Sequence, residues 1–307
     1  MLAGDTETPG QANSERLEER LAYCAPVAGR VRCGRPFSPH WLPTLSRLRL
    51  LDSQTRHSGL EERRAEEARL LANRDPDFVT AFSANHFQAA QTGLLAGLAR
   101  RFPGRRLLVY DLGLMPQQRS RLLARSDIPI TIRAFNFSAY PSYVARLMDY
   151  RWKALLIAEI LNERGSLFYM DAHIEWVTNN LSILQRQLDC LRHSPSGLYK
   201  YLPIEEEGAK ATEMGCAGFQ LLYATADVRR NIYKWAVLCA LQQDCMAPKD
   251  APGVTYEQFA NCHRYDQSVF NILLANRHGF NRSAYYLQFN LRAGSGSSCP
   301  KYIIKCS

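Results

Sequence analysis

The chain has 307 residues, 46% hydrophobic and 22% charged, with a formal net charge of +9. That length and balance supply a sizeable core and exclude a disordered or fibrous polymer. The positive excess sits in scattered pairs, Arg100-Arg101, Arg105-Arg106 and Arg229-Arg230, not in one basic block; such a surface suits anionic small molecules, acidic polymers or a nucleic-acid backbone alike, although no nucleic-acid partner is expected.

Residues 1–76 are polar and rich in Arg and Glu, with Pro26, Pro36, Pro39 and Pro43. They read as a stem or leader, partly helical or disordered, with a charged helix over 58–71 where Glu and Arg stand one turn apart. From Asp77 the rhythm changes, and 77–307 is expected to be one domain. "DFVTAFSA" (77–84) is a β-prone run, and 85–102 has helical spacing of Phe87, Leu94, Leu95 and Leu98 before Pro103-Gly104 stops it. "RRLLVYDLGL" (105–114) is a continuous apolar strand ending in Asp111. A short helix over 116–125 starts at Pro116, and "ITIRAFNF" (130–137) is a third strand. One long helix or two fill 138–165 up to Gly165, and "SLFYMDAHIEW" (166–176) is the fourth strand.

Strands alternating with helices predict an α/β fold with a mostly parallel central sheet flanked by helices. Ligands of such sheets bind at the carboxyl ends of the strands. Two apolar strands end there in aspartate, Asp111 and Asp171, although an aspartate in that place commonly serves only to cap a turn. The first strand lacks G-x-G-x-x-G and offers Ser83, Ala84 and Asn85 instead, so a dinucleotide site is not expected. Walker A, H-E-x-x-H and G-x-S-x-G sequences are absent as well.

Nine cysteines include no CxxC pair, which removes zinc-ribbon and thioredoxin readings. Six of them lie at or after Cys216, as in a disulfide-linked C-terminal half. Asn136, Asn180 and Asn281 head glycosylation sequons. Cysteines and sequons lean towards the secretory pathway and a glycoprotein. The N-terminal residues carry no apolar signal, and no run of about 18 apolar residues occurs. The expectation is therefore a cytoplasmic protein, or a Golgi or secretory one if an apolar anchor lies upstream; a membrane partner enters only in that second case.

"MDAH" (170–173) places Asp171 and His173 one residue apart at a strand end. A carboxylate and an imidazole so spaced can grip one divalent cation, with Mn²⁺ more tolerant of imidazole than Mg²⁺. Residues 77–290 resemble the GT-A class of glycosyltransferases and, more narrowly, a little-characterised animal and nematode family with a glycosyltransferase-like domain of unknown function. The resemblance is carried in order by "VTAFSANHF" (79–87), "LLVYDLGL" (107–114), "AFNFSAYPSYV" (134–144), "YRWKALLIAEIL" (150–161), "YMDAHIEW" (169–176) and "HRYDQSVFNILLAN" (263–276). It implies a single GT-A-like, Rossmann-like domain that takes a nucleotide-sugar donor and a glycan or glycoprotein acceptor. Ser83, Asn85, Asp111, Lys153 and Asp171 would line the donor site. Asp171, His173 and a late histidine, His263, would hold Mn²⁺ or Mg²⁺. Asp266 and Gln267 would face the transferred sugar or the acceptor. The family motif has Asp where this chain has His173, so two alternatives stay open: an inactive nucleotide-sugar or glycan-binding module of the same fold, and a cytosolic α/β protein that binds another phosphate ligand.

Overall fold

The computed structural model describes residues 21–51, 64–65, 68–70, 75–176, 196–212, 215, 217–249, 264–293 and 301–305. A two-stranded hairpin, β1 (Cys24–Val27) with β2 (Arg30–Cys33), precedes the main sheet. That sheet contains β3 (Asp77–Phe82), β4 (Leu107–Asp111), β5 (Ile130–Ala134), β6 (Ser166–Asp171), β7 (Ile174–Trp176), β8 (Phe219–Tyr223), β9 (Tyr286–Ala293) and β10 (Lys301–Lys305). Their order across the sheet is β5-β4-β3-β6-β8-β10-β9-β7. The pairs β5-β4, β4-β3 and β3-β6 are parallel, and β8 runs antiparallel to β6. The expected mostly parallel sheet is therefore present.

The apolar strands have no polar face because helices cover both sides. Side chains alternate with period two. Val79, Ala81, Leu108, Tyr110, Leu167 and Tyr169 join one core with the helices Arg151–Arg164, Lys234–Leu241 and Asp266–Arg277. Phe78, Phe82, Leu107, Val109, Phe168 and Met170 join a second core with Leu94, Leu95 and Leu98 of the helical stretch that starts at Phe87 and with Leu122 of the Pro116–Leu123 helix. Leu155, Leu156, Ile157 and Ile160 are fully enclosed, and each such burial contributes about 1.5–3 kcal/mol.

The structure corrects three expectations about elements. Residues 21–51 do not behave as a polar stem: Leu21, Phe37, Leu45, Leu48 and Leu50 are buried in the first core. Gly34 lies so close to the Tyr201 backbone that a Cβ there would overlap it. A disulfide joins Cys24 to Cys33 across directly paired residues of the hairpin. Of the charged helix expected over 58–71, residues 64–65 and 68–70 are helical and the rest lies outside the described residues. Second, 138–165 is neither one long helix nor two. Pro141 and three short 3-10 turns precede the Arg151–Arg164 helix, which begins after Tyr150 in the left-handed region (φ 53°) and ends on Gly165 (φ 80°). Third, Ala172 and His173 form a turn after β6, so the fourth strand stops at Asp171 and β7 pairs with β9 instead.

Candidate active site at the carboxyl end of the sheet

From β3 the chain steps outward to β4 and β5, then returns across β3 to add β6. The strand order reverses between β3 and β6, and a crevice opens at such a point beyond the carboxyl ends. In the register there Ala81 faces Asp171. A cavity of about 70 Å³ occupies this place, lined by Phe82, Ser83 and His86 after β3, by Leu112 after β4, by Leu147, Met148, Tyr150 and Trp152, and by Asp171, Ala172 and His173. It has room for a few atoms only, well short of the 300–1,000 Å³ of a whole-ligand pocket.

Beneath it lies a cluster of charges. Asp171 is two residues past Tyr169, so the pleat turns it toward the Arg151–Arg164 helix. Lys153 meets it from that helix, with Nζ 3.1 Å from Asp171 Oδ1 and 2.9 Å from Asp266 Oδ2. Tyr169 donates its hydroxyl to Asp171 Oδ1 at 3.0 Å. The rings of Tyr150 and Tyr169 flank the ammonium at 5.2 and 5.4 Å. Lys153 is 2% exposed and Asp266 4%, so one carboxylate and one ammonium are removed from water together, beside the part-exposed carboxylate of Asp171. Ions cost several kcal/mol each to bury, and only close pairing offsets that.

Environment separates the two acids. Burial works against ionisation of Asp171, but Lys153, His173 and the hydrogen bonds from Lys153 and Tyr169 outweigh it and hold its pKa below 3.8. At Asp266 burial prevails: Lys153 opposes it, Asp171 reinforces it, and the pKa rises above 3.8. Burial would lower the Lys153 pKa, yet the two carboxylates raise it, so the ammonium stays charged.

The local backbone serves this arrangement. Gly218, at the turn before β8, accepts the Asp171 N–H at 2.7 Å. A Cβ on it would stand 2.8 Å from Asp171 Oδ2. Tyr150 and Tyr265, each just before the helix that carries Lys153 or Asp266, both have positive φ, 53° and 45°, and their rings lie 6.3 Å apart. Bulky residues rarely adopt that region, and backbone strain of this kind concentrates at functional sites.

The expected site residues divide. Asp171, His173 and Ser83 line the cavity, and Lys153 lies directly beneath Asp171. Asp266 is a partner of Lys153, not a wall of the cavity; Gln267 is buried beside it, with Asn271 Nδ2 donating to its carbonyl at 2.6 Å. Asp111 does not line the cavity: its Oδ1 accepts from the N–H groups of Gly113 and Leu114 and its Oδ2 pairs with Arg119, so it caps the turn after β4. Asn85 is exposed and outside the cavity wall. His263 lies outside the described residues. His86, Tyr150 and Tyr169 were not singled out from the sequence; the left-handed φ of Tyr150 and the pleat of Tyr169 emerge only with the backbone.

Asp171 and His173 are the cavity residues that would hold a metal. Among the described residues no group of three or more His, Cys, Asp or Glu side chains gathers as a metal cage. Asp171 is ionised, braced by Lys153 and Tyr169 and part-exposed, with His173 two residues away. A deprotonated, braced carboxylate is what a metal ligand requires, and Mg²⁺-like ions commonly take one or two carboxylates plus water and substrate phosphates. The donor set thus fits a cation shared with a ligand.

A family model described as a protein of unknown function (DUF1647) matches residues 12–158, just under half of the chain. No curated protein matches. Among solved structures, the galactosyltransferase LgtC in complex with donor and acceptor sugar analogs gives a TM-score of 0.37 at 16% identity, covering 64% of this chain and 70% of that one. An active-site Gln-to-Glu mutant of LgtC gives 0.38 at 17%, covering 64% and 69%. The bifunctional glycosyltransferase WbbM, in its apo form, gives 0.40 at 10%, covering 66% and 37%. Likeness at this level carries no weight for the activity of the chain.

Proposed function

We propose that the protein transfers a sugar from a nucleotide-sugar donor to a glycan or glycoprotein acceptor. One observation carries the reading: the Asp171–Lys153–Asp266 cluster, gathered from a helix, the strand that follows it and a much later helix, lies under the strand-end cavity at the order reversal of the sheet. Asp171 and His173 would hold Mn²⁺ or Mg²⁺, which when bound supplies Lewis-acid neutralisation of the departing diphosphate. Ser83 and His86 line the same cavity and would orient the reacting end of the donor. Lys153 keeps Asp171 ionised and fixes its carboxylate. Asp266, through Lys153, positions that pair.

A second reading has its own support. Both Asp171 oxygens already meet Lys153, at 3.1 and 3.3 Å, so the charge is largely balanced within the protein. That favours a module that binds a nucleotide-sugar or glycan without turning it over. Titration with UDP-, GDP- and CMP-sugars, in Mn²⁺ and in chelator, separates the two when thermal stability and nucleotide release are followed together. The transferase releases nucleotide with one donor in a metal-dependent way, and Asp171→Ala abolishes it. A shift without release selects the binding module, and no response to any donor sinks both.

The setting we propose is the secretory pathway, in the Golgi. Disulfides Cys24–Cys33 and Cys239–Cys245 support it, because such bonds persist in oxidising compartments; they weigh against a cytosolic phosphate-binding protein. Among the described residues no helix is long and apolar enough to cross a membrane. Asn136 and Asn281 are exposed, and in each sequon the Ser hydroxyl donates to the Asn carbonyl oxygen, at 2.6 and 2.7 Å. Expressed in animal cells with a secretory leader, the protein should lose mass on enzymatic removal of N-glycans, and Asn136→Gln with Asn281→Gln should diminish that loss.

A further inference from the structure

Arg151 is an arginine at 0% exposure, two residues from Lys153. Its guanidinium donates to the carbonyls of Ala240 (2.9 Å), Gln242 (3.1 Å) and Gln243 (2.7 Å), and its Nε to Asp149 at 3.1 Å. All three carbonyls lie between Cys239 and Cys245, which a disulfide joins at a separation of 6 residues. Within that loop Cys245 N–H donates to Gln242 O and Met246 N–H to Cys239 O. The Tyr143 hydroxyl donates to Leu241 O, and its ring lies 5.1 Å from the Arg151 guanidinium. A buried guanidinium needs every donor satisfied, and this cradle of backbone carbonyls supplies the partners. What it secures is the entry to the helix: Tyr150, left-handed, contributes to the cavity wall, and the Lys153 N–H donates to Tyr150 O at 3.1 Å.

We propose that the Cys239–Cys245 loop and Arg151 form a clamp that holds Tyr150 in its strained conformation, making Arg151 a positioning residue for the cavity wall and for Lys153. The carbonyls must converge on one point to receive the guanidinium, and the disulfide restricts the loop to that shape. Released from the cradle, Arg151 leaves Tyr150 free to relax toward ordinary backbone angles, and the wall and the ammonium shift together. The clamp itself rests on geometry alone; its bearing on sugar transfer rests on the function proposed above.

Amide hydrogen exchange on the full chain tests it. In a Cys239→Ala, Cys245→Ala variant, the Tyr150 and Lys153 amides are expected to exchange about tenfold or more faster, through local opening. β3, β4 and β6 should keep their protection. Arg151→Met should give the same pattern, and Cys24→Ala with Cys33→Ala should leave residues 147–153 unchanged. If the double variant does not fold, mild reduction of the wild-type protein replaces it, with the hairpin variant reduced in parallel. Faster exchange confined to 239–246, with 147–153 at the wild-type rate, overturns the clamp. Nucleotide release plays no part in this readout, so the clamp stands or falls separately from the transferase reading; if release is observed, the variants should raise KM or lower kcat.

Discussion

At the residue scale the decisive feature is one buried ammonium between two carboxylates. Removing one member of such a set leaves charge without compensation, so Lys153→Ala is expected to cost about 3–5 kcal/mol in urea unfolding. Lys153→Met combined with Asp266→Leu should recover much of that loss, because the remaining Asp171 is part-exposed and keeps the Tyr169 hydroxyl. The pH dependence follows from the direction of each shift. Asp171 has a folded pKa below 3.8, so the unfolded chain binds its proton first as pH falls. Its stabilising contribution is complete above the unfolded value and is lost as pH falls through the folded one. Asp266, raised above 3.8, has the opposite sign and costs stability as pH rises through its folded value. Urea titrations from about pH 2 to about pH 6 should therefore show the gap between wild type and Asp171→Asn narrowing below pH 3.8; a constant gap would contradict the assignment.

The residue scale also shows what sequence reading reaches. Asp171 and Lys153 were legible because the motif order placed them, but the burial of Lys153 was not. A lone lysine in a helix ordinarily keeps its head in water, and only the partners on β6 and the Asp266–Arg277 helix reverse that. Asp111 shows the converse. Its position at a strand end matched the ligand pattern, while its chemistry belongs to the Gly113-Leu114 turn and Arg119.

At the scale of elements, period and apolar runs located the starts of β3 to β6 and the helical stretches between β3 and β5 closely. The misses fall where local geometry overrides propensity. The stretch 138–150 has helical composition, yet Pro141 and the left-handed Tyr150 break it into turns. "SLFYMDAHIEW" reads as one strand, yet the Ala172-His173 turn carries β7 to the far edge of the sheet. Gly218 belongs to this scale too, because β8 approaches Asp171 only without a side chain there. Gly218→Ala should cost about 1–3 kcal/mol by overpacking and displace the Asp171 carboxylate. Loss of metal-dependent stabilisation by the donor, at a melting temperature within a few degrees of wild type, would be the signature.

At the scale of the whole molecule the boundary expected at residue 76 does not hold. Leu21, Phe37, Leu45, Leu48 and Leu50 are as much core as the strands. Deleting residues 1–51 should therefore yield an insoluble or molten chain, checked by near-ultraviolet circular dichroism; a cooperative, soluble product would restore the stem reading. Composition hid this because the segment's apolar residues are interspersed with Arg and Pro and, Leu42, Leu45 and Leu48 aside, follow no helical or strand period. Hydrophobic residues spaced irregularly among Arg and Pro read as solvated until the surface they cover is known.

The antiparallel entry of β8 has a consequence for how the molecule is made. β3 to β6 and their helices are consecutive in sequence, and contacts between near neighbours form early. Gly218 and Asp266 reach Asp171 only after a long intervening stretch of chain. During synthesis from the N-terminus, Lys153 and Asp171 would meet first, as a simple pair. The second carboxylate, and the closure over Asp171, arrive with the C-terminal portion. A ribosome-bound chain ending before Gly218 would hold a parallel half-sheet and an incomplete charge cluster, so competence to engage a ligand should appear as one of the last events in the birth of the protein.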